Sequence, residues 1–208
     1  MTGSSQTPEP GDRGRCPSLG ALMQRRPVVV ALLFEGGLAV LALALALMFG
    51  LRPWLTIRLD AATPLLAVAA TVPLLGLVLL LLRSNWAWVE ALDRLARELA
   101  TTLFANAGPT AILLVSLLAG IGEELLFRGV VQAGLEPLVG AVPALLLASL
   151  LFGLAHAVTR AYFLMAALIG IYLGWLYLAT GNLLLPILVH FLYDWIILSR
   201  LRREAGRA

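Results

Sequence analysis

Blocks of apolar residues about 20 long recur six times in this chain, at about Val28 to Phe49, Ala62 to Leu82, Pro109 to Val131, Leu138 to Val158, Ala161 to Ala179 and Leu183 to Ser199. Coiled as an α-helix at about 1.5 Å per residue, such a block covers the roughly 30 Å of a bilayer's hydrocarbon core. Hydrocarbon offers no hydrogen-bond partners, so each crossing segment must satisfy its own backbone, and a helix does this. The chain is therefore expected to be all-α, a polytopic integral membrane helix bundle with about six transmembrane helices. Composition agrees: 61% of residues are hydrophobic and 13% are charged, the latter about half the share carried by soluble domains.

The residues between the blocks suggest an orientation. Residues 1–26 are rich in Gly, Pro, Ser and Arg without apolar periodicity, and they read as a flexible cytoplasmic tail. Residues 27–200 then form the membrane bundle, and 201–208 a second basic cytoplasmic tail. With the first tail inside, the inner segments hold Arg13, Arg15, Arg25, Arg26, Arg83, Arg94, Arg97, Arg160, Arg200, Arg202, Arg203 and Arg207, against Arg52 and Arg58 outside. Both termini are thus expected in the cytoplasm. The net charge of +3 is explained by this distribution and points to no nucleic-acid partner. Cys16 is the chain's one cysteine, so no internal disulfide is expected.

Between the second and third blocks, Asn85 to Asn106 has a different pattern. Trp86, Val89, Leu92, Leu95, Leu99 and Leu103 recur at helical spacing among Glu90, Asp93, Arg94, Arg97 and Glu98. This predicts an amphipathic helix, either lying at the bilayer surface or serving as a plain connector. Farther on, Gly170 and Gly174 form a small-xxx-small pair of the kind that lets two helices approach closely, within one chain or between two copies in a homodimer.

A charged side chain in mid-membrane costs roughly 2.5 to 3.5 kcal/mol on insertion scales, so each one asks for a reason. The candidates are Glu35, Glu123, Glu124, Arg128, His156, His190 and Asp194; all but Glu35 fall in the C-terminal half, and both histidines of the chain are among them. Glu124 and Arg128 stand four apart and can form an ion pair, which leaves Glu123 available on a face it shares with Phe127. His190 and Asp194 also stand four apart, so the carboxylate can orient or charge the imidazole. Phe152 shares a face with His156 and sets an aromatic wall beside it. Glu35, alone beside Gly36 and Gly37, reads as an interfacial or helix-packing residue and is placed outside the site.

Two imidazoles and a free carboxylate suit the activation of water. Glu123 as general base, with His156 holding the water, would hydrolyse a peptide bond if His190 donated to the developing oxyanion while Asp194 fixed its tautomer. Glu123, His156, His190 and Asp194 are equally competent zinc ligands in number and type. The residues leave both versions open.

Three segments carry a more specific signal: Glu123-Glu124-Leu125-Leu126-Phe127-Arg128, Phe152-Gly153-Leu154-Ala155-His156 and His190-Phe191-Leu192-Tyr193-Asp194. They resemble, in order, the EExxxR, FxxxH and HxxxN/D motifs of the CAAX prenyl protease and bacteriocin-processing family of intramembrane proteases, over a catalytic core of residues 109–198. The run Gly170 to Gly181 followed by Asn182 is similar to the stretch that precedes the third motif. The resemblance implies an endopeptidase of a prokaryotic cell membrane in which Glu123 and His156 activate water, and His190 and Asp194 stabilise the oxyanion. It further implies that Glu124 and Arg128 support the site and that the substrate is a membrane-associated or lipidated peptide or protein. Asp194 departs from the Asn alternative, because an ionised carboxylate cannot donate a hydrogen bond. It would instead orient His190, hold a proton or bind metal.

Two rival readings use the same residues. Glu, His and Asp chains also form relays in proton-coupled transporters, and a non-catalytic family member can act as an immunity or regulatory membrane protein. Depth poses a further problem. Counted from an inner start at Pro109, Glu123 lies about 21 Å up its helix, whereas His156, near the end of a descending helix, lies roughly 10 Å lower. A tilt, a bend near Gly120 and Gly122, or shifted helix ends would be needed to bring the two together.

Overall fold

The computed structural model describes residues 26–104 and 107–205; the expected N-terminal tail up to residue 25, with Cys16, lies outside the described residues. The structure is all-helical. Eight α-helices can be followed: α1 Pro27–Met48, α2 Thr63–Leu82, α3 Ala87–Phe104, α4 Pro109–Glu124, α5 Ala133–Val139, α6 Ala141–Ala155, α7 Arg160–Thr180 and α8 Leu184–Ala205. Between α4 and α5 the backbone stays helical but widens into a π-helical segment, Leu125–Gln132, a rare geometry that recurs at functional sites. A short 3-10 turn, Pro53–Thr56, lies between α1 and α2.

Five of the described helical stretches are long and apolar enough to cross a membrane, namely α1, α2, the continuous run Pro109–Val139, α7 and α8. The sixth expected span is shorter. Helix α6 has 15 residues, roughly 22 Å of rise, because the chain turns at Gly140 with φ +87° and the helix ends at His156. The basic C-terminal residues, expected as a tail from 201, remain helical to Ala205. Arg200 donates to Glu204 at 2.8 Å within the last turns, and Arg97 of α3 bridges to the same Glu204.

The long run from Pro109 is the hub of the bundle. Of its most apolar stretch 56% is buried inside the protein, against 6% for α1, so α1 faces lipid and α4 faces its neighbours. Helix α4 packs between α1 and α8; α8 also packs on α2 and α3, and α6 packs on α7 and the π segment. Gly120 and Gly122 make these contacts close rather than bending the helix. A methyl carbon built on Gly120 would stand 2.9 Å from the Ile187 carbonyl oxygen of α8, and one on Gly122 would stand 2.5 Å from the Glu35 carbonyl oxygen of α1. Gly122→Ala is therefore expected to push α1 away and cost about 1–3 kcal/mol. Thermal unfolding in detergent should show the loss, and an unchanged melting curve would mean that the contact is looser than described.

The depth problem disappears through a shifted helix end. The helix expected to stop near Val131 runs on through the π segment and α5 to Val139, and reverses at Gly140. Measured from that shared turn, Glu123 and His156 both lie about 25 Å down, one on each side. Helix α6, by being short, brings its terminal histidine level with the glutamate.

Helix α3 is amphipathic as expected, with Val89, Ala100 and Phe104 buried and Glu90, Arg94 and Glu98 exposed. It packs on the bundle, chiefly on α8. Gly170 and Gly174 are used within the chain: the former faces Ser149 and Phe152, the latter Gln132 and Leu145. Their carbonyls accept from Arg128 Nη2 at 2.9 Å and Gln132 Nε2 at 3.1 Å, which ties α7 to the π segment. The start of α8 is fixed by buried Asn182. Its side-chain oxygen accepts from the Arg58 and Leu184 amides, and its nitrogen donates to the Arg58 carbonyl and Thr63 Oγ1.

Candidate active site

The polar side chains of the three motifs are delivered by four elements. Glu123 and Glu124 end α4, Arg128 lies in the π segment, Phe152 and His156 close α6, and His190 and Asp194 lie one turn apart on α8. Glu123, Glu124, Arg128 and His190 are buried, while the His156 and Asp194 side chains are 25% and 27% exposed.

The first cluster is Glu123 with His156. His156 Nδ1 lies 2.8 Å from the Phe152 carbonyl oxygen. A carbonyl only accepts, so the ring proton sits on Nδ1. A neutral imidazole held in this way turns its Nε2 lone pair toward Glu123 Oε2, 3.6 Å away. That is too long for a direct hydrogen bond and suits two groups that grip one small molecule between them. Glu123 Oε2 is buried and has no protein partner among the described residues.

The second cluster is built around His190. Its Nδ1 lies 2.8 Å from Glu124 Oε1, and its Nε2 lies 3.4 Å from Asp194 Oδ2. The expected ion pair of Glu124 with Arg128 is present at 2.8 Å and is almost wholly buried. The same Glu124 oxygen thus accepts from both Arg128 and His190. The sequence has Asp194 orient His190, with Glu124 and Arg128 as supports of the site; the structure gives that support a form, a Glu124 oxygen shared by Arg128 and His190. Glu124 is the tighter partner of the imidazole, and Asp194 stands loosely at the other nitrogen.

Phe152 joins the two clusters. Its ring lies 4.6 Å from the ring of His156 and 6.1 Å from that of His190, packs edge-on against Phe127 at 5.1 Å, and carries the Arg128 guanidinium 4.6 Å above its face. Its carbonyl sets the His156 tautomer, and its ring, read from its spacing as a wall beside His156, walls His190 as well.

Glu123, His156, His190 and Asp194 line one cavity of about 310 Å³, within the size range of small-molecule and peptide-side-chain sites. Beyond these groups its walls are mostly apolar, formed by Leu74 and Val78 of α2, Leu92 and Leu99 of α3, Met165 and Ile169 of α7 and Ile197 of α8. The amphipathic α3 therefore covers the cavity.

The four groups do not fit a zinc site. Zinc takes four ligands in tetrahedral array, and here the two Nε2 atoms face different carboxylates, His156 that of Glu123 and His190 that of Asp194. Among the described residues, no group of three or more His, Cys, Asp or Glu is arranged to hold a metal ion.

Glu35 reads from the sequence as lying outside the site, and it is not among the residues that line the cavity. Its backbone abuts Gly122, the residue before Glu123, and its Oε2 is buried without a hydrogen-bond partner among the described residues. A lone acid beside two glycines gave no hint of this, because the contact that sets its depth is with another helix.

Comparison with known proteins supports the same segment. Residues 105–196 match the family model described as type II CAAX prenyl endopeptidase Rce1-like. The Uncharacterized protein YpbD of Bacillus subtilis (strain 168) is 32% identical over 108 residues, which cover 50% of this chain and 53% of that protein. The chain spans about half the length of the curated relative it matches. No solved structure matches it. The family resemblance drawn from the three motifs is borne out over 105–196, which contains both clusters, and with its apolar helices the chain is an integral membrane protein.

Proposed function

We propose, from an Rce1-like segment whose polar groups line one apolar cavity, that this chain is an intramembrane endopeptidase that cleaves a membrane-associated or lipidated substrate with water activated between Glu123 and His156. The observation that carries the reading is the facing pair itself. Two acceptor atoms 3.6 Å apart, one a carboxylate oxygen and one an imidazole lone pair, are bridged by a water about 2.8 Å from each. Such a water gives both its hydrogens to the protein and turns a lone pair toward the cavity.

The steps then balance. The water oxygen bonds to the scissile carbonyl carbon, Glu123 takes one of its protons, and the carbonyl π pair moves onto oxygen. His190 Nε2 is only loosely engaged by Asp194 at 3.4 Å, so its N–H is free to turn to the oxyanion, while Glu124 holds Nδ1. Collapse breaks the C–N bond, and Glu123 returns its proton to the leaving nitrogen. The apolar walls keep bulk water out and strengthen each of these interactions.

A quenched fluorogenic peptide with a prenylated cysteine near its C-terminus is a suitable probe, with products identified by mass. His156→Phe keeps the ring's volume but removes Nε2, and is expected to lower cleavage about 100-fold or more. Protein stripped of metal by a chelator is expected to keep full activity without added zinc. Activity that vanishes with the chelator and returns with zinc would replace this water-activation scheme by a metal-assisted one.

A further inference from the structure

Oxyanion holes are built from donors that converge on the developing charge, and loss of one donor costs on the order of 10²- to 10³-fold in kcat. In the reaction above, His190 Nε2 is the one donor. Asp194, 3.4 Å from that nitrogen, has oxygens and no N–H. The other side chains lining the cavity that carry an N–H or a hydroxyl are His156, Tyr162, Tyr193 and Arg200. The His156 ring proton is engaged by the Phe152 carbonyl. Arg200 is held by Glu204 at 2.8 Å and stands about 15 Å along α8 from His190. Tyr193 packs against the apolar cluster formed by Ala67 and Leu74 of α2 with Leu173 and Leu176 of α7.

Tyr162 is left, and its placement suits the task. His156 closes α6, the chain turns through residues 157–159, and Thr159 Oγ1 accepts from the Tyr162 amide at 3.1 Å, capping the start of α7. The cap fixes the tyrosine in the first turn of α7, with its ring 6.0 Å from that of His156 and inclined to it by 60°, within the range of direct ring contact. The side chain is half-buried and shares the cavity wall with Glu123, His156, His190 and Asp194. Unlike Tyr193, it belongs to none of the apolar clusters among the described residues. A carbonyl attacked by the water that His156 holds gains its negative charge beside the imidazoles, and a phenol, which keeps its proton at neutral pH, is a donor there. Resting on the peptidase reading, we propose that Tyr162 is a further catalytic residue, whose hydroxyl joins His190 Nε2 as the second hydrogen-bond donor to the oxyanion.

The test uses the full chain in detergent, the prenylated fluorogenic peptide as substrate, and the same peptide with a phosphinate in place of the scissile amide as inhibitor. The phosphinate is tetrahedral and carries a negative oxygen, so its affinity reports donors to the oxyanion, whereas KM reports the flat amide. Tyr162→Phe removes the hydroxyl and keeps the ring. It is expected to lower kcat at least about tenfold and to raise the phosphinate's dissociation constant by a similar factor, with little change in KM. Tyr193→Phe is expected to change neither. An unchanged kcat in Tyr162→Phe, a loss that appears in Tyr193→Phe instead, or a fall in kcat without weaker phosphinate binding would overturn the assignment. If the parent protein cleaves nothing, the peptidase reading fails, and calorimetric titration of the phosphinate into the parent and Tyr162→Phe still decides whether the hydroxyl meets a tetrahedral oxygen. Equal affinities, or binding to neither, would overturn it.

Discussion

Glu123→Gln is expected to lower the rate of peptide cleavage by about 10²- to 10⁴-fold, the range that a positioned general base contributes. The substitution is nearly isosteric, and Glu123 Oε2 makes no hydrogen bond to the protein among the described residues. Folding should therefore be almost untouched, with the purified variant running as the same detergent-solubilised species. The amide cannot accept the water's proton, and it adds an N–H donor facing the His156 lone pair across the 3.6 Å gap, which would close the pair on itself and displace the water. Retention of more than about a tenth of the parent rate would remove Glu123 from the base's role.

The largest effect on stability is expected at the neighbouring residue. Glu124 has no exposed surface, and one of its oxygens accepts from both Arg128 and His190 at 2.8 Å. Glu124→Ala leaves a guanidinium with 1% side-chain exposure without its counter-charge, the situation in which a broken buried pair costs about 3–5 kcal/mol. Arg128 would keep only its bond to the Gly170 carbonyl and its place over the Phe152 ring, so the join between the π segment and α7 should loosen. Activity would fall with it, because His190 loses the partner that holds its Nδ1. Thermal unfolding in detergent, followed by circular dichroism, checks the first effect. Glu124→Gln should be milder, since an amide oxygen still accepts from one donor. A Glu124→Ala variant as stable as the parent would mean that the pair is dispensable to the fold.

Much of this architecture is legible in the residues because hydrocarbon is an unforgiving solvent. The six apolar blocks match α1, α2, the α4 run, α6, α7 and α8 in order, and the repeat of Val89, Leu92 and Leu99 marks α3. The polar set is legible for the same reason: groups as costly as Glu123, His156 and His190 are not scattered through a membrane without use. Features that depend on contacts between helices are not legible. Glu136 and Pro137 look like a loop, yet the helix continues through them to Val139 and turns only at Gly140. That extension is what sets Glu123 level with His156. No periodicity reveals that the Glu124 carboxylate meets a histidine 66 positions away, or that the glycine before Glu123 lets the α1 backbone approach at Glu35. The π segment and the short α6 are equally local adjustments to neighbours.

If the cavity with Glu123 and His156 at its wall breaks a peptide bond, the purified chain should do so in a bilayer. The decisive measurement reconstitutes it in liposomes carrying a prenylated, membrane-anchored peptide, with cleavage products followed by mass spectrometry and internal pH followed by an entrapped dye. Defined peptide fragments are expected from the parent protein, none from Glu123→Gln, and no proton flux from either. Intact peptide together with Glu123-dependent acidification of the lumen would rule out the peptidase and identify the same polar groups as a proton relay.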